Sequence, residues 1–162
     1  MQYHIRRKDK EITDPVQMKK ILKDTDYITI AMVKDGEPYL VSLSHAYDEE
    51  KHCIYIHSAS EGKKLDYLRA NPVVWGQAML DHGYHKGECS HLYASVMFKG
   101  KVEFIKDFEE KRHAFKTMIL QLEPEPESIM YETLKSKGIP TTVVAKIKIE
   151  YMTGKKSQEV SL

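Results

Sequence analysis

The stretch Ile56-His57-Ser58-Ala59-Ser60-Glu61-Gly62-Lys63-Lys64-Leu65 concentrates residue types that can hold an anion. A strand-like run ends near Ser58, and Leu65 and Leu68 mark the inner side of a helix that follows. Lys63 and Lys64 then fall in the first turn, where the helix dipole is positive and each cation costs about 0.3 to 1 kcal/mol. A bound phosphate would offset that cost. Free backbone N–H groups, a glycine at position 62 that admits close approach, hydroxyls of Ser58 or Ser60, and two ammonium groups would converge on it. A plainer arrangement fits the same residues: two solvated lysines balanced by Glu61 and Asp66, with Ser58 and Glu61 at capping-box spacing. His57 borders the block, either as a proton donor near neutrality or as a hydrogen-bonded packing residue.

A second concentration of reactive side chains is Asp81-His82-Gly83-Tyr84-His85-Lys86-Gly87-Glu88-Cys89-Ser90-His91. Imidazole and thiolate bind zinc, iron or haem. The spacing matches no standard finger, and a polar loop between two strands that shapes a substrate entrance accounts for the same residues. No metal-ligand set is assigned.

The elements that position these groups are mostly strands. Asp14 followed by Pro15 predicts a helix start, since Asp caps free N–H groups and Pro tolerates the first helical position, with the helix running from about 15 to 23. Tyr27 to Val33 is β-branched and aromatic, Lys34-Asp35-Gly36-Glu37 is a tight-hairpin signal, and a partner strand runs from Pro38 to about Tyr47. Further strands are expected over Cys53 to Ser58, Val73 to Leu80 and Leu92 to Ile105. Thr141 to Met152 alternates, with Val143, Ala145, Ile147 and Ile149 on one face and Lys146, Lys148 and Glu150 on a wet one. Phe108, Phe115, Met118, Ile119 and Leu122 share a helical face after an Asp107 cap, and Glu127 to Lys137 reads as another helix stopped by Gly138 and Pro140. His113 on the first of these helices reads as solvated. The pattern implies one mainly β domain over 1–162, a barrel with peripheral helices, and a frayed tail from about Lys155.

Bulk charge excludes some partners. Lys plus Arg number 25 against 24 Asp plus Glu, so neither nucleic acid nor an anionic membrane is selected electrostatically. No apolar run approaches the roughly 20 residues of a membrane span. The polar start lacks the apolar core of a secretory signal, which implies a cytoplasmic protein with Cys53 and Cys89 reduced. Trp75 and the scattered tyrosines are read as core and groove packing rather than base-stacking platforms.

Several segments together resemble the pyridoxamine 5'-phosphate oxidase-like flavin-binding proteins, and within them the nitroimidazole-resistance group. They are Pro38 to Leu43, the block Ile54 to Lys64, Asn71-Pro72, and Tyr93-Ala94-Ser95-Val96-Met97-Phe98-Lys99-Gly100-Lys101-Val102. Arg6 to Ile12 and Met152-Thr153-Gly154-Lys155 extend the resemblance to most of residues 5 to 156.

The resemblance implies a six-stranded antiparallel split barrel that forms a homodimer and binds FMN in grooves between subunits. By position, Lys63 and Lys64 match the phosphate-binding basic pair after Gly62, and Ser58 the ribityl and phosphate end. Val41, Ser42 and Leu43 match the strand whose backbone runs along the isoalloxazine edge, Ser95 a polar flavin contact, and His57 a histidine beside the flavin that serves catalysis. The strand Tyr39 to Ser44 lacks the arginine that pyridoxamine phosphate oxidases use for FMN, and no second phosphate site is matched. The implied function is an FMN-dependent oxidoreductase acting on nitroaromatic or other electron-poor small molecules. A flavin-binding module without turnover, and a haem-binding split barrel using the 82–91 histidines, are the alternatives.

Overall fold

A computed structural model describes residues 5–135 and 138–162. Its order begins with a 3-10 turn at Lys8–Lys10, β1 (Glu11–Ile12), α1 (Pro15–Asp24), β2 (Tyr27–Lys34), β3 (Glu37–Ser44), β4 (Ala46–Asp48), β5 (Cys53–Ser58) and α2 (Lys63–Ala70). It continues with β6 (Val73–His85), β7 (Ser90–Ile105), α3 (Phe108–Leu122), α4 (Pro126–Lys135), α5 (Gly138–Thr141) and β8 (Val143–Lys156).

Local chemistry sets several boundaries as expected. The Asp14 carboxylate accepts from the Val16 amide at 2.8 Å, and Asp107 does the same for Glu110 at 2.8 Å. Asp35 and Gly36 take φ of 52° and 80°, the left-handed pair that a two-residue hairpin between right-twisted strands requires.

The strands form one eight-stranded antiparallel sheet in the order β3-β2-β6-β7-β8-β5-β4, with β1 added on β8. Eight rather than six are present because two short pieces join the six long strands: β1 pairs through Glu11 and Ile12, and β4 through Ala46 to Asp48. The expected single strand from Pro38 to Tyr47 breaks at His45, whose Nε2 lies 2.9 Å from the Leu22 carbonyl of α1. The sheet is open, with β3 at one end returning against β5 without pairing to it.

Alternation along the strands sends Ile28, Ile30, Ile54, Ile56, Phe98 and Ile147 into one core, which α1 covers with Ile21 and Leu22. The opposite face of β5 and β8 is also covered. Cys53, Tyr55 and Val144 pack there against Ala114 and Met118 of α3. The expected wet face of β8 is therefore partly dry, and Lys146 bonds Glu110 at 2.7 Å beneath the helix.

Other expectations are corrected. Phe108 is exposed at the start of α3 rather than on its buried face. The helix expected over Glu127 to Lys137 spans Pro126–Lys135, its last two expected residues lying outside the described ones, and Gly138 and Pro140 sit within a helical turn. The tail is docked, not frayed: Lys155 and Lys156 belong to β8, Ser157 and Val160 are buried, and the Ser157 hydroxyl donates to the His91 carbonyl at 2.9 Å. His113 is not a free solvated group, because its Nε2 lies 2.6 Å from the buried Asp48 carboxylate.

His45 makes stability depend on pH. Burial outweighs its bond to Leu22 and lowers the pKa from 6.5, so the ring stays neutral where the unfolded chain already takes up a proton. Stability from this group is complete above about pH 6.5 and declines below it, by at most about 1.4 kcal/mol per pH unit. Asp48 acts in a lower window. Burial, the largest single influence, opposes its ionisation, but the His113 bond, the Lys51 amide and the nearby charges together outweigh it, and its contribution is lost only below the ordinary carboxylate range. Urea unfolding at pH 7.5 and 5.5 should show the loss in the natural chain and a smaller one in His45→Gln, and equal losses would discount His45.

Candidate functional site

The helix α2 begins where the end of β5 and the Leu65 and Leu68 spacing placed it. Gly62 is its N-cap, with φ of 134° and nothing within 4 Å of the position a Cβ would take, and no side chain caps the helix. The Ser58–Glu61 capping box is not formed, because the helix starts after Gly62 and Ser58 remains the last residue of β5.

The two lysines are in different states. Lys63 is exposed and already engaged: its Nζ lies 3.3 Å from Glu37 Oε1, 4.8 Å from the Tyr39 ring centre and 5.3 Å from that of Tyr67. The Glu37 hydrogen bond raises its pKa. Lys64 is half-buried and makes no ion pair among the described residues, and burial lowers its pKa. A half-buried cation without a counter-charge, at an uncapped helix start, is what an anion would complete.

His57 follows Cys53 and Tyr55 on the α3 face of β5, its ring 5.9 Å from Phe115. Partial burial, and then the charge of Lys64, push its imidazole below the ordinary range, so it is neutral at neutral pH. Val41 and Leu43 point inward against the core, while Ser42 faces outward with its hydroxyl 2.9 Å from that of Thr29. All three sit on β3, which among the described residues pairs only with β2 and leaves one edge of its backbone open.

Ser95 belongs to a second cluster. The pairing register draws a row across the outer sheet face: Ser42 opposite Thr29, Thr29 opposite Gln77, Gln77 opposite Met97, Met97 opposite Thr153. Ser95 lies beside this row on β7, its hydroxyl donating to the Lys155 carbonyl at 3.4 Å, in a groove of about 330 Å³. From β3 to β7 is three strand spacings, about 14 Å at ~4.8 Å each. Within one chain Ser42 and Ser95 do not meet.

The sequence profile described as pyridoxamine 5'-phosphate oxidase matches residues 14–156. The chain belongs to that family. A candidate 5-nitroimidazole antibiotic resistance protein from Bacteroides thetaiotaomicron resembles this family member at 28% identity and TM-score 0.70, over 90% of this chain and 85% of that one. An FAD-binding protein from Mesorhizobium loti is 24% identical with TM-score 0.64, over 89% of this chain and 95% of that one. A flavocytochrome from Azotobacter vinelandii is 21% identical with TM-score 0.79, over 99% of this chain and 75% of that one. No curated protein sequence is a significant match.

In this pyridoxamine 5'-phosphate oxidase family chain the 82–91 segment is a hairpin extending β6 and β7, with a register shift between Asp81 and Tyr84. Its histidines do not converge with other ligands: among the described residues no three His, Cys, Asp or Glu are placed to hold a metal ion. Among those residues, too, no helix is long and apolar enough to cross a membrane. Trp75 is not core but outer-face, its ring 6.2 Å from Tyr151. Thr29 and Gln77 were not singled out from sequence, and Thr153 and Lys155 entered within a segment of the resemblance and not as site residues, because sheet register alone aligns them. The alternation Val73, Trp75, Gln77, Met79 was the available signal for the shared face.

Proposed function

We propose that the chain binds FMN between two copies of itself and uses it to reduce electron-poor small molecules such as nitroaromatics. The observation that carries this reading is Lys64, a half-buried cation without an ion-pair partner among the described residues, beside the open Gly62 at an uncapped helix start. A phosphate monoester fits that donor set. The described FAD-binding, flavocytochrome and nitroimidazole-resistance relatives support a flavin and this substrate class.

The second copy follows from spacing. If Val41 to Leu43 and Ser95 serve one ring system, the roughly 14 Å between β3 and β7 requires Ser95 to come from another copy. The outer face suits such a contact, since Leu40, Met79 and Met97 expose 64%, 51% and 48% of their surface on it.

When bound, the flavin supplies electrons as hydride or singly. The chain's own residues bind and orient: Lys64 and Lys63 hold the phosphate with Gly62 and Ser58, and the free edge of β3 lines the ring. A nitro group takes two electrons and two protons to become nitroso and water. His57, beside Phe115 at the end of β5, would relay those protons from solvent. The free thiols Cys53 and Cys89 suit the reducing cytoplasm in which we place this activity.

Titration of purified protein with FMN, FAD and haem, followed by flavin fluorescence and absorbance, tests the reading alongside sedimentation. One FMN per chain on a dimer is expected, with nitroaromatic reduction faster than reoxidation by air. His57→Gln should lower kcat about a hundredfold and leave FMN affinity unchanged. A Soret band without flavin binding would move the assignment to haem, and flavin binding without turnover would make the chain a flavin store or sensor.

A further inference from the structure

We infer that the groove between α3 and α4 binds an unbranched aliphatic carboxylate, its chain lying along α4 and its carboxylate at Arg112 and Lys116. None of the groove's lining residues belongs to the flavin site or to the outer face that a second copy would cover.

The helix α4 buries none of its ten residues. Met130 and Leu134 are only half-buried and Tyr131 is exposed, although the three recur at the spacing of one helical face. With Arg112 of α3 they wall a hollow of about 390 Å³, a volume within the range of small-ligand sites. Arg112 and Leu134 also line an adjoining hollow of about 220 Å³, whose other walls are Glu109, His113 and Lys116. The first hollow is mainly apolar and the second mainly polar, and Arg112 stands where they join.

The charges at that junction are incompletely matched. The Arg112 Nε is buried without a hydrogen-bond partner among the described residues, and its Nη1 reaches the exposed Glu109 only at 3.3 and 3.5 Å. A buried N–H without an acceptor costs its full desolvation, and a carboxylate is the acceptor whose geometry suits a guanidinium. Lys116, one turn further along α3, makes no ion pair among the described residues, whereas His113 is held by the buried Asp48 at 2.6 Å. Glu127 and Lys135 in the apolar hollow offset each other, which leaves two cations facing Glu109 alone. A bare anion would leave the Met130 and Leu134 wall in water, and a neutral chain would leave Arg112 unsatisfied. A chain with a terminal carboxylate completes both halves.

The probes are decanoate, below its micelle threshold, and 1-decanol, titrated by calorimetry with amide NMR shifts to place them. The natural chain should bind decanoate at least about tenfold more tightly than decanol, with shifts confined to residues 109–116 and 126–135. Arg112→Gln should remove that preference while decanol still binds, which shows that the groove is intact, and Leu134→Asp should weaken both ligands. Saturating FMN should leave decanoate binding unchanged. Equal affinity for the two probes, no binding of either, an unchanged Arg112→Gln chain, shifts on β3 or β7, or competition with FMN would each overturn the assignment. So would binding to phosphatidylglycerol vesicles but not to free decanoate, which would make the groove a membrane contact. Copies joined through α4 and separated by Leu134→Asp in sedimentation would overturn it as well, in favour of an interface. Decanoate binding is read with and without FMN, so a chain that binds no flavin would fail the earlier reading and leave this one measurable.

Discussion

Replacing Lys64 with alanine is expected to weaken FMN binding about a hundredfold, and replacing Lys63 about tenfold or less, although the two are neighbours in one helical turn. The difference comes from what each lysine gives up. Lys63 already has Glu37 at 3.3 Å and two tyrosine faces, so turning to a phosphate exchanges one set of favourable contacts for another. Lys64 is half-buried with no counter-charge among the described residues, and its lowered pKa records the penalty. An anion at Gly62 would relieve that penalty and add a charge-assisted bond of about 1.5 to 3 kcal/mol. The same physics sets a signature in the flavin-free protein: Lys64→Ala should melt no lower than the natural chain. Fluorescence titration and thermal unfolding of both variants decide it. A larger loss for Lys63→Ala, or a flavin-free Lys64→Ala chain that is clearly destabilised, would mean that Lys64 has a structural role instead.

The largest stability effect is expected at Phe98. Its side chain is wholly buried and lies directly over its cross-strand partner Gly76, where a Cβ would come within 2.1 Å of the ring. Phe98→Ala should cost about 3 to 5 kcal/mol through lost burial and the cavity left behind. Gly76→Ala should cost about 1 to 3 kcal/mol for the opposite reason, a methyl group forced into occupied space. The double variant should be less destabilised than the sum, because removing the ring opens the space that the methyl needs. Urea unfolding of the four proteins gives the coupling energy. Strict additivity would show that the ring moves aside and that the contact does not set the packing of β6 on β7.

What the chain states locally was legible. The Asp14 and Asp107 caps, the Asp35-Gly36 turn and the helix opening at Lys63 each depend on neighbours within a few residues, and each is found as read. The basic pair was recognisable for the same reason: it is an exception to helix-dipole preference, and exceptions show without a structure. Membership of the pyridoxamine 5'-phosphate oxidase family was likewise visible in ordered segments.

Contacts between distant segments were not legible. That Lys63 is engaged and Lys64 is not depends on Glu37, 26 residues away on the β3 hairpin. His113 looked solvated until the fold brought Asp48 to it across 65 residues. Ser42 and Ser95 were both named as flavin contacts from their positions, but only the strand order shows that one chain holds them three strands apart. Side-chain alternation tells which residues share a face of one strand, whereas register between strands is set by the whole sheet closing over a common core. The sequence alone therefore determined the caps, the turns and the helix start with its basic pair, which are local competitions for hydrogen bonds and charge. The tertiary structure decided which lysine remains uncompensated and which side chains form the outer row, because those depend on strands meeting from opposite ends of the chain.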